Sequence, residues 1–200
     1  MRVGIVGGTF DPVHLAHLEM GRAAKRQKDL DQIWFMPSKI PPHKRGKKIA
    51  EEGLRYRFVE LAVEGEKDFY ASDFELRFPN TTYTAETLER LKKEYREEQF
   101  FFILGGDSLC DFGKWYHPEK ILEYAGILAF RRNGVSMREM EERAENLMSR
   151  FGGQIEILQM RDMDISSSMI REKLAMGEPV EKYLPEALHP FISELEEIYR

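Results

Sequence analysis

Apolar positions along this chain alternate between two spacings. Short runs rich in β-branched and aromatic residues recur at Arg2–Val6, Gln32–Met36, Phe69–Leu76, Gln99–Leu104, Gly126–Phe130 and Ile155–Met160, and these predict strands. Between most of them, apolar residues three and four apart predict helices over Val13–Lys25, Glu51–Val63, Ala85–Tyr95, Pro118–Tyr124 and Met137–Phe151. Two further helical stretches, Ser167–Met176 and Pro185–Tyr199, close the chain. Strands separated by helices of about 10–15 residues imply βαβ units around a mostly parallel sheet. Phe100–Leu104 is apolar at every position, the mark of a strand covered on both faces. The expected fold is α/β: a Rossmann-like open parallel sheet with helices on both faces. Residues 1–200 read as one domain whose C-terminal part is helical from about 166, with no repeat and no low-complexity segment.

Composition narrows the partners rather than the fold. Of 200 residues, 42% are hydrophobic and 32% charged, too apolar for a disordered chain. Thirty-five Asp and Glu against thirty Lys and Arg leave a formal charge of -5, so neither nucleic acid nor an anionic membrane is an expected partner. A single cysteine, Cys110, cannot form an internal disulfide, and no Cys/His spacing suits a structural zinc site. The opening MRVGIVGGTFDP has too short an apolar run for a signal peptide, and no stretch approaches about 18 apolar residues. The expectation is a soluble, reduced, cytoplasmic protein; whether copies of it associate is left open.

In an open parallel sheet, ligands bind beyond the carboxyl ends of the strands, so the chemistry belongs in the strand-to-helix turns. Four of these are unusual. After the first strand comes Gly7-Gly8-Thr9-Phe10-Asp11-Pro12-Val13-His14-Leu15-Ala16-His17. The two glycines let a ligand approach the backbone, while Asp11 as N-cap and Pro12 at the first helical position would start a helix. The open N–H groups of that helix favour an anion, and His14 and His17, three apart, share one helical face. Two imidazoles there suit phosphoryl oxygens that gain charge in a transition state. The turn is neither GxGxxG nor GxxxxGK[ST].

The second segment, Pro37–Lys48, carries five Lys and Arg with His43 among them, a candidate phosphate-gathering loop. The third, Gly105-Gly106-Asp107-Ser108-Leu109, follows a buried strand, where Asp107 could meet a ribose and Trp115 a ring. The fourth, Ile165-Ser166-Ser167-Ser168-Met169-Ile170-Arg171, offers a capped helix start and a guanidinium to a second anion. Thr81-Thr82-Tyr83-Thr84 adds hydroxyls before another helix. Each segment taken alone also has a plain structural reading as capping, packing or a solvated loop.

Taken together, the segments are more specific. Gly8–His17 resembles the nucleotidylyltransferase signature G-x-F-x-x-x-H-x-G-H, and Ile165–Arg171 resembles that superfamily's second signature, I-S-S-T-x-I-R. Pro41-Pro42-His43-Lys44, Tyr83-Thr84, Gly105–Leu109 and Trp115 narrow the resemblance to the bacterial nicotinate mononucleotide adenylyltransferase family, over essentially the whole chain. Ala16 stands where the signature usually has Gly, and Ser168 where it often has Thr; an added methyl and a retained hydroxyl are expected to be tolerated.

The resemblance implies a fold of nucleotidylyltransferase type and an enzyme that joins ATP's adenylyl group to nicotinate mononucleotide by in-line displacement, with Mg²⁺ accompanying ATP. It implies that His14, His17 and Arg171 serve the reaction. Gly7, Gly8, Thr9, Phe10, Ser167, Ser168 and Asp107 would bind ATP. Lys44, Tyr83, Thr84, Gly106 and Trp115 would bind the mononucleotide. Two rivals remain: a phosphopantetheine adenylyltransferase, against which His14 and the C-terminal length argue, and a non-catalytic nucleotide-binding module, which would more readily have lost His14, His17 or Arg171.

Overall fold

The computed structural model of the protein describes residues 1–39, 49–79, 83–131 and 135–200. Six parallel strands form one sheet: β1 (Arg2–Gly8), β2 (Gln32–Pro37), β3 (Phe69–Ala71), β4 (Gln99–Gly105), β5 (Ala125–Phe130) and β6 (Ile155–Leu158). Their order is β3-β2-β1-β4-β5-β6, so the winding reverses between β1 and β4, where Ile5 stands opposite Phe102. The helices are α1 (Leu15–Lys28), α2 (Glu52–Val63), α3 (Thr84–Glu94), α4 (Gly106–Asp111), α5 (Pro118–Tyr124), α6 (Met137–Phe151), α7 (Ser167–Met176) and α8 (Ile192–Tyr199).

Alternation along the strands sorts side chains into two cores. Val6, Phe101, Ile103, Leu128 and Phe130 face one side, where α1, α2, α7 and α8 supply Leu18, Phe58, Ile170 and Leu195. Val3, Ile5, Phe100, Phe102 and Ile127 face the other, against Leu88 of α3, Leu109 of α4, Ile121 of α5 and Leu147 of α6. Both faces of β4 are therefore covered, which is why its sequence is apolar throughout. Helix α1 comes close to the sheet at a glycine: a Cβ at Gly21 would stand 3.1 Å from Phe35 Cζ on β2, so a side chain there would press on its neighbours. Ala16, also on α1, lies buried in the first core.

The expected elements are present, with three corrections. The strand expected over Phe69–Leu76 ends at Ala71 and gives way to a 3₁₀ turn at Phe74–Arg77. As an edge strand it pairs with β2 alone, and Ser72-Asp73 turns the chain so that Phe74 enters the second core. The final helix divides into a 3₁₀ turn, Glu186–Phe191, holding Pro190, and then α8. The six-residue α4 was too short to show helical spacing in the sequence.

Candidate active site

At the reversal of strand order, β1 and β4 deliver Gly7–Gly8 and Gly105–Gly106 side by side, and a cleft of about 300 Å³ opens at their carboxyl ends. Gly7, Gly8, Thr9 and His17 line one wall. Thr84, Asp107 and Trp115, together with Glu75, line the other. A Cβ at Gly7 would stand 2.8 Å from Phe102 Cζ, so a larger residue there would have to displace the Phe102 ring that lines the cleft.

The first turn is built differently from its expected form. Asp11 does not cap a helix begun by Pro12; the N-cap is His14, in extended conformation, and α1 starts at Leu15. Asp11 is instead 2% exposed. Its Oδ1 accepts hydrogen bonds from the Ala50 N–H at 3.1 Å and the Tyr199 hydroxyl at 2.6 Å, with Arg171 Nη1 3.7 Å from Oδ2. A carboxylate so surrounded is held by the interior, and no exposed cap position offers as many partners.

His14 and His17 do come together. The buried His14 ring stacks on that of His17 at a centroid distance of 3.6 Å and an angle of 24°. The backbone N–H of His14 donates to His17 Nδ1 at 3.2 Å. With Nδ1 accepting, the ring proton of a neutral His17 sits on Nε2, which becomes the ring's donor. Phe10 packs edge-on against His17 at 4.9 Å; it is fully buried and stands behind the cleft wall as a support. Its φ of 49° lies in the left-handed region that bulky residues rarely enter.

The second motif docks on the first. Ser166 caps α7, accepting from the Met169 N–H at 3.1 Å. Ser167 donates its hydroxyl to the Pro12 carbonyl at 2.9 Å, while Arg171 donates from Nη1 to the Asp11 carbonyl at 2.7 Å and from Nη2 to the Ser168 hydroxyl at 3.2 Å. Because Ser167 spends its hydroxyl proton on Pro12, what α7 offers an anion is its first-turn N–H groups, the exposed Ser168 hydroxyl and the Arg171 fork.

The aromatic side is looser. Trp115 packs against Phe112 and Phe102, at 5.3 and 6.2 Å. Tyr83, the exposed N-cap of α3, packs against the exposed Tyr116 at 4.5 Å with the rings tilted by 34°, each next in the chain to a lining residue, Thr84 and Trp115. Gly106 is buried as the first residue of α4, and Asp107 follows it, exposed at the cleft. Lys44 and His43 lie outside the described residues, as do Thr81 and Thr82.

Three residues at the site carry no sequence signal. Glu75 reaches the cleft because the 3₁₀ turn replaces a strand, and its Oε1 accepts from the Thr87 hydroxyl at 2.8 Å. Arg55, 2% exposed, donates to three main-chain carbonyls: Thr9 at 2.6 Å, Lys39 at 2.9 Å and Ala50 at 3.0 Å. Burial lowers its guanidinium from the ordinary value, opposed by the nearby Asp11 carboxylate. Tyr199 meets Asp11 from the last turn of α8, and burial, reinforced by that hydrogen bond, pushes its hydroxyl far above the usual tyrosine range. Among the described residues, no three His, Cys, Asp or Glu gather as a metal site, and no helix is long and apolar enough to cross a membrane.

An all-parallel sheet with a switch-point cleft, a helix start with paired histidines beside it, and a second capped helix start bonded to the same turn through Ser167 and Arg171 is the architecture of a nucleotide-binding α/β protein that works on phosphates. The cytidylyltransferase-like family model matches residues 5–173. A protein named "Probable nicotinate-nucleotide adenylyltransferase" from Lachnoclostridium phytofermentans is 39% identical over 191 residues, 96% of each chain. One of the same name from Clostridium botulinum (strain Alaska E43 / Type E3) is 39% identical over 193 residues, again 96% of each. The solved structure of Plasmodium falciparum nicotinic acid mononucleotide adenylyltransferase complexed with NaAD superposes with a TM-score of 0.78 at 20% identity, covering 99% of this chain and 95% of that one. The same protein complexed with APC gives 0.77 at 19% identity, over 98% of both chains. The chain belongs to the cytidylyltransferase-like family and, within it, to the nicotinate-nucleotide adenylyltransferases.

Proposed function

We propose that this chain transfers the adenylyl group of ATP to nicotinate mononucleotide, giving deamido-NAD and pyrophosphate. Family membership supports the reaction. The observation that supports a site for it is the docking of the Ser167–Arg171 helix start onto Asp11-Pro12, which joins the two phosphate motifs to each other, with Gly8, Thr9 and His17 of the first lining the cleft. Direct displacement needs no nucleophilic side chain. A phosphate oxygen of the mononucleotide forms a bond to the α-phosphorus of ATP, the bond from that phosphorus to the bridging oxygen breaks, and pyrophosphate leaves. Catalysis then consists of alignment and of neutralising charge on the phosphoryl oxygens.

Roles follow from position. His17, on the cleft wall, donates from Nε2 to a phosphoryl oxygen, and His14 braces it from behind. The α7 N–H groups, Ser168 and Arg171 hold the triphosphate from the opposite side, and Gly7, Gly8 and Thr9 admit the nucleotide against the backbone. Phe10 acts as a support for His17. Asp107 accepts from a ribose hydroxyl at the start of α4. Trp115 covers the pyridine ring, with Tyr83, Thr84 and Gly106 around it; Lys44 serves the mononucleotide phosphate. Mg²⁺ enters as part of the ATP substrate, bound chiefly by phosphate oxygens, which is how this ion is commonly carried. The whole chain acts as one unit, in the cytoplasm.

Pyrophosphate release from ATP, measured over a panel of acceptor mononucleotides together with phosphopantetheine, tests the reading. Release that depends on nicotinate mononucleotide is the expected result. Release with phosphopantetheine instead, or with no acceptor at all, would assign a different reaction.

A further inference from the structure

Beneath the phosphate-side turn lie two polar side chains that belong to neither motif, the buried Arg55 and the half-buried Tyr199. Arg55 spends its guanidinium on the carbonyls of Thr9, Lys39 and Ala50, which come from three separate segments: the turn after β1, the segment after β2 and the lead-in to α2. Two residues after Thr9, the Asp11 carboxylate takes the Ala50 N–H and the Tyr199 hydroxyl, and the Asp11 carbonyl takes Arg171. Between these two fixed points sits Phe10, in the left-handed conformation and against His17. A bulky residue persists in that conformation only where its surroundings over-determine it, and such strain collects at functional turns. Buried charges are costly, and α2 and α8 could dock on the core with apolar groups alone, as Phe58 and Leu195 do. Placing a guanidinium and a phenol here instead fixes positions of the main chain, because directional hydrogen bonds set geometry where apolar contacts do not.

We propose that Arg55 and Tyr199 are positioning residues for adenylyl transfer: holding the Thr9 carbonyl and the Asp11 carboxylate on either side of Phe10, they set His17 and Arg171 in register with the triphosphate. The inference rests on the phosphate-side roles proposed above. Because its hydroxyl titrates far above the ordinary tyrosine range, Tyr199 stays a neutral donor at any working pH and adds no limb of its own to the pH profile. Neither residue touches substrate in this account, so both act through the turn.

The test compares Tyr199→Phe and Arg55→Lys with wild type in the full chain, and uses Leu195→Val as a variant that disturbs α8 packing without touching the polar set. Three quantities are measured: melting temperature, affinity for a non-hydrolysable ATP analogue, and kcat with KM for each substrate. Tyr199→Phe is expected to melt cooperatively, bind the analogue about tenfold more weakly and lose about tenfold in kcat, the size of one lost hydrogen bond in a polar network. Its KM for the mononucleotide should stay within twofold. Arg55→Lys, whose ammonium cannot span three carbonyls, should lose more in kcat, roughly tenfold to a hundredfold. Leu195→Val should lower the melting temperature and leave kcat and both KM values within twofold. Tyr199→Phe with wild-type analogue affinity and kcat would overturn the proposal, as would losses that follow melting temperature alone in the manner of Leu195→Val. If Arg55→Lys does not fold, Tyr199→Phe decides. A wild-type protein that binds the analogue but forms no dinucleotide would refute the assigned reaction, while the shift in analogue affinity would still judge the positioning role.

Discussion

The two walls of the cleft are built from different materials. On the phosphate side, Asp11, Arg55 and His14 are almost wholly buried, the main chain is bonded at Thr9, Asp11 and Pro12, and Phe10 is held in a rare conformation. On the pyridine side, Tyr83 and Tyr116 are exposed rings, and Trp115 leans on Phe102 and Phe112 with no side-chain hydrogen bond to any of the described residues. The difference matches what each side is proposed to do. Charge developing on phosphoryl oxygens is stabilised by donors that need not reorganise, so rigidity on that wall enters the rate. A flat ring is recognised by shape and stacking, which tolerates looser walls and enters affinity and selectivity.

Substrate choice offers the widest test of that contrast. Nicotinate mononucleotide is expected to be preferred over its amide on the order of 10⁴-fold, because open N–H groups at the start of α3 would donate to a carboxylate and oppose an NH₂ group. Thr84 begins that helix on the cleft wall; the acidic residues that line the cleft are Asp107 and Glu75, the latter engaged with Thr87, and Glu86 does not line it. The ratio of kcat/KM for the two mononucleotides at fixed ATP and Mg²⁺ checks it; comparable values would remove acid specificity from this wall. On the other wall, His17→Ala should lower kcat by about 10²–10³ with melting unchanged, as expected for one lost transition-state contact. Near-normal turnover would reduce His17 to a packing residue.

Smaller effects should still fall on opposite sides. Arg171→Lys should raise KM for ATP about tenfold and leave the acceptor's nearly unchanged, since an ammonium cannot reproduce the fork now shared between Asp11 and Ser168. Equal effects on both substrates would place Arg171 elsewhere. Trp115→Leu should raise KM for the mononucleotide about fivefold with kcat little changed, a loss of about 1 kcal/mol of stacking. A fall in kcat instead would mean that the pyridine wall is as rate-determining as the phosphate wall, and the contrast would fail.

Most of the fold was legible because its signals are local. Alternating and fully apolar runs placed all six strands, and helical spacing placed all but the shortest helix. The edge strand was overextended because Phe74 looks like a strand residue until the Ser72-Asp73 turn sends it into the core. At the site, the pairing of His14 and His17 could be read from their spacing, whereas the turn at Thr84 read alone as capping and only the family resemblance drew it to the cleft. Asp11 was misread for a related reason: Asp before Pro is a good capping pair by local rules, and only Ala50, Arg171 and Tyr199, from 39 to 188 positions away, show what its carboxylate does.

The sequence by itself determined the layering, the positions of the glycine turns at the strand ends and the motifs that carry the family resemblance, since each depends on neighbours within a few residues. Only the tertiary structure decided that the two motifs meet at Asp11 and Pro12, that Glu75 faces the cleft and that Arg55 and Tyr199 hold the turn. Those contacts join segments far apart in the chain, and their geometry exists only once the sheet has brought β1 and β4 together and the last helix has closed over the first core.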